Sequence, residues 1–274
     1  MLTGAQLKLL LASHGIRLSK RLGQHYLIDP QAIRRIIEAC ELSSRDTVVE
    51  IGAGLGALTE PLAGCAGRVI AVDVDRRICA LLTERLSSVP NAEVACQDIL
   101  AFRWDQHPGA VAVGAIPYHI TSPILVSLFD SRQAIARAVL VLQAEVAERL
   151  CAKPGTKAYG RLTVLAQYGW DVSRCFTIPQ RAFFPQPEVA SCCIRLLSRP
   201  KPPVAVQDEA AFFRLVKAAF SQRRKTLANC LKTLAPTAEI ARVIARVKLP
   251  PSVRGETLGL EEFSALSNAF ARIK

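Results

Sequence analysis

Between Asp46 and Leu150 the chain alternates short β-branched apolar runs with stretches whose apolar residues recur at helical spacing. Thr47–Ile51, Arg68–Val72, Glu93–Cys96, Ala110–Gly114 and Ala138–Leu142 read as strands. Leu55–Ala63, Arg76–Leu86, Ser122–Phe129 and Ala144–Leu150 read as helices between and after them. Apolar strands separated by helices of this length predict an α/β fold, a parallel sheet covered on both faces. A further helix over Leu162–Tyr168 and two extended stretches, Gly169–Cys175 and Ala190–Leu197, predict a hairpin-like pair at the edge of that sheet.

The tract Arg199-Pro-Lys-Pro-Pro203 has no periodicity, and its prolines can continue neither a helix nor a central strand. It divides the chain into an expected α/β domain, 1–200, and a small all-helical domain, 201–274. In the latter, Asp208–Phe220, Arg224–Leu234, Ala238–Val247 and Glu261–Ile273 carry helical spacing.

The apolar content, 50% of 274 residues, excludes disorder and fibrous repeats, whereas the charge points to a partner. Lys and Arg number 35 against 23 Asp and Glu, a formal charge of +12, so a polyanion and above all nucleic acid is expected. No apolar run approaches the roughly 18–20 residues of a membrane span, so no membrane partner is expected. The 9 cysteines are scattered, odd in number and without a CxxC pair, which reads as reduced thiols packed as small hydrophobes in a cytoplasmic protein. Lys8, Arg17, Lys20 and Arg21, with no acid before Asp29, imitate a presequence. The apolar stretch Leu9–Ala12 is too short for a secretory signal. No His spacing suits a metal, and none is expected.

Chemistry concentrates at predicted strand ends. Glu50-Ile-Gly52-Ala-Gly54-Leu-Gly56-Ala57 is a glycine-rich turn opening a helix, and taken alone it fits either a dinucleotide or a methyl-donor site. Asp73, at the end of the second strand, is placed to accept from ribose hydroxyls, as NAD and S-adenosylmethionine both require. Three features favour S-adenosylmethionine. The carboxylate of Glu50 suits a sulfonium and an ammonium better than a pyrophosphate. Asp98, after the third strand, can accept from an adenine amine. Gly114-Ala-Ile-Pro117-Tyr118 places a rigid aromatic turn at the edge where such folds bind ligands. Alone, each acid is a helix cap more often than a ligand; their order along the chain makes the case.

With these residues in view, the chain resembles the ribosomal RNA adenine N6-dimethyltransferases, and the small-subunit (16S) enzymes above all. The segments that carry the resemblance are Leu22-Gly-Gln-His-Tyr-Leu27, Glu50–Ala57, the Asp73 region, Gln97-Asp98, Ile116-Pro-Tyr118, Lys157-Ala-Tyr-Gly-Arg-Leu162, Ala166-Gln-Tyr168, Phe183-Phe-Pro-Gln-Pro-Glu-Val189 with Ser191, and Phe220-Ser-Gln-Arg-Arg-Lys-Thr226. The erythromycin-resistance methylases of 23S rRNA share the cofactor segments but match 157–162 and 222–226 less well. The resemblance implies a Rossmann-like methyltransferase sheet with a helical C-terminal domain, acting as a monomer on 16S rRNA in the immature small subunit. It also implies that His25 and Leu27 lie over the cofactor, Gly52 and Gly54 approach it with Glu50, Asp73 holds its ribose and Asp98 its adenine. The target base, extruded from its stack, would sit between Tyr118 and Phe183.

Two departures stand out. The family's Asn-Leu/Ile-Pro-Tyr is here Ala115-Ile116-Pro117-Tyr118, and its Gly-Gln-Asn-Phe-Leu is Gly23-Gln-His25-Tyr-Leu27. An adenine amine is a weak nucleophile until acceptors draw its hydrogens out of the ring plane, and Ala115 offers no side-chain acceptor. One missing group of this kind costs on the order of 10²–10³ in rate, by analogy with a donor lost from an oxyanion hole. A backbone carbonyl with water or the nearby His119 would make up the loss; otherwise the protein is an assembly factor that binds rRNA and cofactor but methylates little. Finally, Arg223, Arg224 and Lys225, read as the start of a helix, are expected to contact RNA, with Arg149, Lys153, Lys157 and Arg161 as a second basic strip.

Overall fold

The computed structural model describes residues 3–16 and 24–271. Arg17, Lys20, Arg21, Leu22, Gly23 and Ile273 of the segments above lie outside them. A seven-stranded sheet is built from β2 (Thr47–Ile51), β3 (Arg68–Asp73), β4 (Ala92–Cys96), β5 (Ala110–Ala115), β6 (Ile135–Gln143), β7 (Trp170–Ile178) and β9 (Ser191–Ser198). Its spatial order is β4-β3-β2-β5-β6-β9-β7. The first five strands in that order are mutually parallel, and β9 joins β6 antiparallel. The expected edge pair is therefore present, with β9 inside and β7 outermost. A separate two-stranded ribbon pairs β1 (Tyr26–Leu27) with β8 (Phe183–Phe184), setting Tyr26 opposite Phe184 and Leu27 opposite Phe183.

The strand interiors explain the order. Val48, Val49, Val111, Ala112, Val113, Val139, Leu140 and Leu142 are fully buried, as central parallel strands covered on both faces require. Successive connections run from β2 outward to β3 and β4, then return past β2 to β5 and β6, so the order reverses between β2 and β5. Open α/β sheets bind ligands beyond the carboxyl ends of the strands at such a reversal. Helices α4 (Arg76–Arg85) and α5 (Thr121–Asp130) follow the predicted spacing within a residue or two. The helix expected over Leu55–Ala63 is shorter: α3 is only Thr59–Ala63. Gly52, Gly54 and Gly56 all have positive φ, and a left-handed residue ends helical geometry, so 54–58 are turns.

Compactness divides the chain differently from the proline tract alone. One unit holds residues 1–147 and 171–198, the other 148–170 and 199–274. The chain thus changes unit after Ala147, Trp170 and Ser198, where the sequence predicts one change near Arg199. The second unit contains α7 (Arg161–Gly169) with α8 (Glu209–Ala219), α9 (Leu227–Cys230), α10 (Thr237–Arg246) and α11 (Leu260–Ala271). Its core sets Tyr168 against Phe212, with ring centroids 5.1 Å apart, and buries the Tyr159 hydroxyl in a 2.7 Å bond to the Leu258 carbonyl. The aromatic residues of 159–168 therefore bury themselves among the C-terminal helices, which assigns that stretch to them.

Candidate active site

A cavity of about 300 Å³ opens beyond the carboxyl ends of β2, β3 and β5. Every residue expected to bind cofactor or target base lines it: His25, Leu27, Glu50, Gly52, Gly54, Asp73, Asp98, Ala115, Ile116, Pro117, Tyr118 and Phe183.

Its floor is backbone. The Gly52 and Ala53 amides both donate to the Val72 carbonyl, at 2.9 and 3.0 Å, clamping the glycine turn to the end of β3. Asp73 locks the same joint: one carboxylate oxygen accepts from Gly54 N at 2.9 Å and the other from Asp75 N at 3.0 Å. A Cβ on Gly54 would come within 3.0 Å of the Tyr26 ring, and the residue sits at φ +56, so glycine is required on both counts. Under β5 the fit is tighter still, since a Cβ on Gly114 would lie 2.4 Å from the Ile51 carbonyl oxygen.

Three carboxylates face the space. Glu50 is 2% exposed and, among the described residues, accepts from the Thr59 hydroxyl, 2.5 Å away. Burial without a counter-charge raises its carboxyl to about 8; the Thr59 bond only partly offsets that. Burial also raises Asp73, against the opposing pull of the Asp75 and Gly54 amides. Asp98 is exposed and caps the short turn Ile99–Ala101 through Leu100 N at 2.9 Å, so it is a cap and a cavity residue at once. No Lys or Arg is among the described residues lining the cavity. A pyrophosphate would meet three acids and no cation, whereas a ligand carrying an ammonium and a sulfonium supplies the missing positive charge. The residues present fit the methyl donor and disfavour a dinucleotide.

Sequence reasoning missed Val74 and Leu100, which line the cavity while 56% and 43% exposed. Each follows a strand-end acid closely, Asp73 and Asp98, and that apolar neighbour was the available signal. Together they give a flat ring two apolar edges beside the Asp98 carboxylate.

The far end is aromatic. Tyr118 is half-buried, its hydroxyl 2.8 Å from that of Ser191, a lining residue that carries the resemblance but was assigned no site role from the sequence. Burial raises its phenol pKa, with the Ser191 bond opposing. Phe183 is 3% exposed and belongs to the apolar core that includes Val139 and Val141 of β6, while also lining the cavity. The Pro117 carbonyl accepts from Ile120 N and the Thr121 hydroxyl, both at 3.2 Å, but among the described residues no hydrogen bond ends on the Ile116 carbonyl.

A model of the family described as ribosomal RNA adenine dimethylase matches residues 15–271. The chain belongs to this family. It is 42% identical to the ribosomal RNA small subunit methyltransferase A of Geobacillus sp. (strain WCH70), across 96% of this chain and 95% of that protein. Among solved structures it is similar to a dimethyladenosine transferase from Plasmodium falciparum, 28% identical with a TM-score of 0.78, covering 88% of this chain and 96% of that one. The 23S rRNA methyltransferase ErmE is 29% identical at a TM-score of 0.69, covering 90% of this chain and 99% of that one.

In this adenine dimethylase, the basic residues expected to begin a helix do not. Arg223, Arg224 and Lys225 form the exposed turn after α8, and Thr226 caps α9 behind them. The argument from an unfavourable helix dipole therefore falls away. Arg223 is braced, donating to the Lys157 carbonyl at 2.7 Å and pairing with Glu256 at 3.4 Å, while Arg224 and Lys225 are exposed beside it. Arg149, Lys153, Lys157 and Arg161 fall in the same compact unit as this turn, where the sequence places them in the first domain.

No helix among the described residues is long and apolar enough to cross a membrane, and no group of three or more His, Cys, Asp or Glu there could hold a metal ion.

Proposed function

We propose that this chain transfers methyl groups from S-adenosylmethionine to N6 of adenosines in 16S rRNA of the immature small ribosomal subunit, acting in the cytoplasm as a monomer. The observation that carries this reading is the continuity of the cavity: three carboxylates, with no Lys or Arg among the described lining residues, and a Pro-Tyr turn with Phe183 share one space.

Glu50, Asp73 and Asp98 would hold the donor, whose bound form supplies a methyl carbon that leaves with the bond pair returning to sulfur. Asp73 serves twice, because each oxygen keeps a lone pair beyond its backbone bond and can accept from a ribose hydroxyl. Val74 and Leu100 would flank the adenine ring while Asp98 accepts from its amine. Tyr118 offers a ring face for the target base, and its bond to Ser191 holds that ring in place. Stacking of this kind is worth roughly 1–3 kcal/mol per base, enough to offset much of the few kcal/mol spent on extrusion. The open Ile116 carbonyl accepts one hydrogen of the target amine. Alignment and electrostatics then carry the rate, with no strong base needed. Arg224 and Lys225, with the strip from Arg149 to Arg161, would engage phosphates; the braced Arg223 sets the turn that presents them.

Incubation of 16S rRNA with labelled donor, followed by mass spectrometry of fragments, tests this directly. Label on adenine N6 is expected. Ala115 favours one rival, a ribosome-assembly factor that has lost most of its catalysis; stoichiometric binding to immature subunits without label would select it. Label restricted to 23S rRNA would select the ErmE-like alternative.

A further inference from the structure

Ala115 leaves the target amine one acceptor short, and the second departure from the family pattern, His25, lines the same cavity. We propose that the His25 imidazole Nε2 supplies the acceptor that position 115 lacks. This rests on the adenine-N6 reading above and deepens it.

Three observations support it. First, the ring is held. Its Nδ1 lies 2.7 Å from the Pro185 carbonyl, and because a carbonyl only accepts, Nδ1 carries the proton. In the neutral ring the lone pair is then on Nε2, for which the described residues record no partner. Second, the ring is placed. It stacks on Tyr118, with centroids 5.7 Å apart and planes 29° from parallel, and both rings line the cavity, so His25 stands beside the ring proposed to hold the base. Third, the segments are coupled. The register of β1 with β8 sets Tyr26 opposite Phe184, so the strand after His25 is bonded to the strand before Pro185. His25, Tyr118 and Phe183 are thus joined by hydrogen bonds or ring contact.

His119, the other imidazole at this end, is exposed, and no hydrogen bond among the described residues holds its ring. An acceptor free to rotate into water offers little preorganisation, which favours His25 for the role.

Nε2 and the Ile116 carbonyl would each accept one amine hydrogen, drawing the nitrogen lone pair out of conjugation. When the nitrogen gains its fourth bond, one proton moves to Nε2 and then to water, leaving the imidazole neutral for the next turnover. A protonated imidazole has no lone pair to offer, so the rate acquires an acid limb that an amide would not show. The titratable groups sharing the cavity are Tyr26, Glu50, Asp73, Asp98, Tyr118 and His119, and of these Tyr118 is in ring contact with His25.

Single-turnover transfer to 16S rRNA at saturating S-adenosylmethionine, followed as a function of pH, tests the role. His25→Phe keeps a ring against Tyr118 and removes both nitrogens. We expect a rate 10- to 100-fold lower and a profile without the acid limb. Adding Ala115→Asn to that variant is expected to restore the rate, while Ala115→Asn alone flattens the limb, a readout that survives even if His25→Phe misfolds. Imidazole ¹⁵N shifts of the wild type should show a protonated Nδ1, and an Nε2 signal that moves when adenosine and S-adenosylhomocysteine are added together. A limb that persists in Ala115→Asn, or a double variant no faster than His25→Phe, overturns the role of His25 and leaves the reaction standing. No label on adenine from the wild type or from Ala115→Asn overturns the reaction itself and this role with it.

Discussion

At the end of the cavity proposed to hold the donor the walls are backbone and carboxylate; at the end proposed for the target they are rings, an open carbonyl and a bare alanine. The donor end is over-determined. Gly54 is fixed by its own φ, by the nearness of Tyr26 and by the Asp73 oxygen bonded to its amide. The target end is held through contacts between distant segments, Tyr118 through Ser191 and His25 through Pro185. A change at the first end disturbs the chain that makes the cavity, whereas a change at the second removes one contact and leaves room for another residue to replace it. This is why the side chain at position 115 can differ from the family pattern while the architecture around it stays.

Gly54→Ala should break the donor end hardest. A left-handed alanine costs about 1–2 kcal/mol, and overpacking against Tyr26 adds about 1–3. Thermal unfolding should shift down by that sum, with cofactor binding lost in calorimetry. Asp73→Ala should follow, since it removes the acceptors proposed for two ribose hydroxyls and orphans the Gly54 and Asp75 amides. We expect cofactor affinity to fall roughly 100-fold, about 3 kcal/mol, with RNA affinity unchanged. Tyr118→Ala should invert that pattern, lowering kcat/KM for RNA roughly 30-fold, about 2 kcal/mol, at constant cofactor affinity. If either variant damages both affinities equally, the two ends are not separable.

A graded effect, set by pH, concerns Glu50. Burial raises its carboxyl from 4.5 to about 8, above its value in the unfolded chain. A raised folded value favours the fold most below about pH 4.5, so this group's contribution to the unliganded protein is lost as pH climbs toward 8. A cationic ligand favours the carboxylate, so cofactor affinity should run the opposite way, rising up to tenfold per pH unit below about 8 with release of one proton. Calorimetry in buffers of different ionisation enthalpy reads that proton, and Glu50→Gln should abolish both the release and the slope.

Much of this was legible before any coordinates. The runs over 47–51, 110–114 and 138–142 announced buried parallel strands because a strand covered on both faces has no polar alternate positions. Asp73 and Asp98 were legible because an acid closing an apolar strand stands at the sheet's ligand edge. The short α3 was not, since helical spacing of apolar residues continues through 55–58 while three left-handed glycines forbid the geometry. The basic turn at 223–225 was read as helix for a related reason: periodicity does not mark where a cap such as Thr226 falls.

The chain's own order of residues therefore determined the layered α/β class, the strand ends that bear chemistry and the charge that calls for a polyanion, because these depend on local periodicity and composition. The folded structure alone decided that 148–170 joins the C-terminal helices, that no Lys or Arg is among the described residues lining the cavity with Glu50, and that His25 lies against Tyr118 with one nitrogen committed to Pro185. Those are meetings of segments far apart in the chain, and such contacts are set by packing, which no local pattern records.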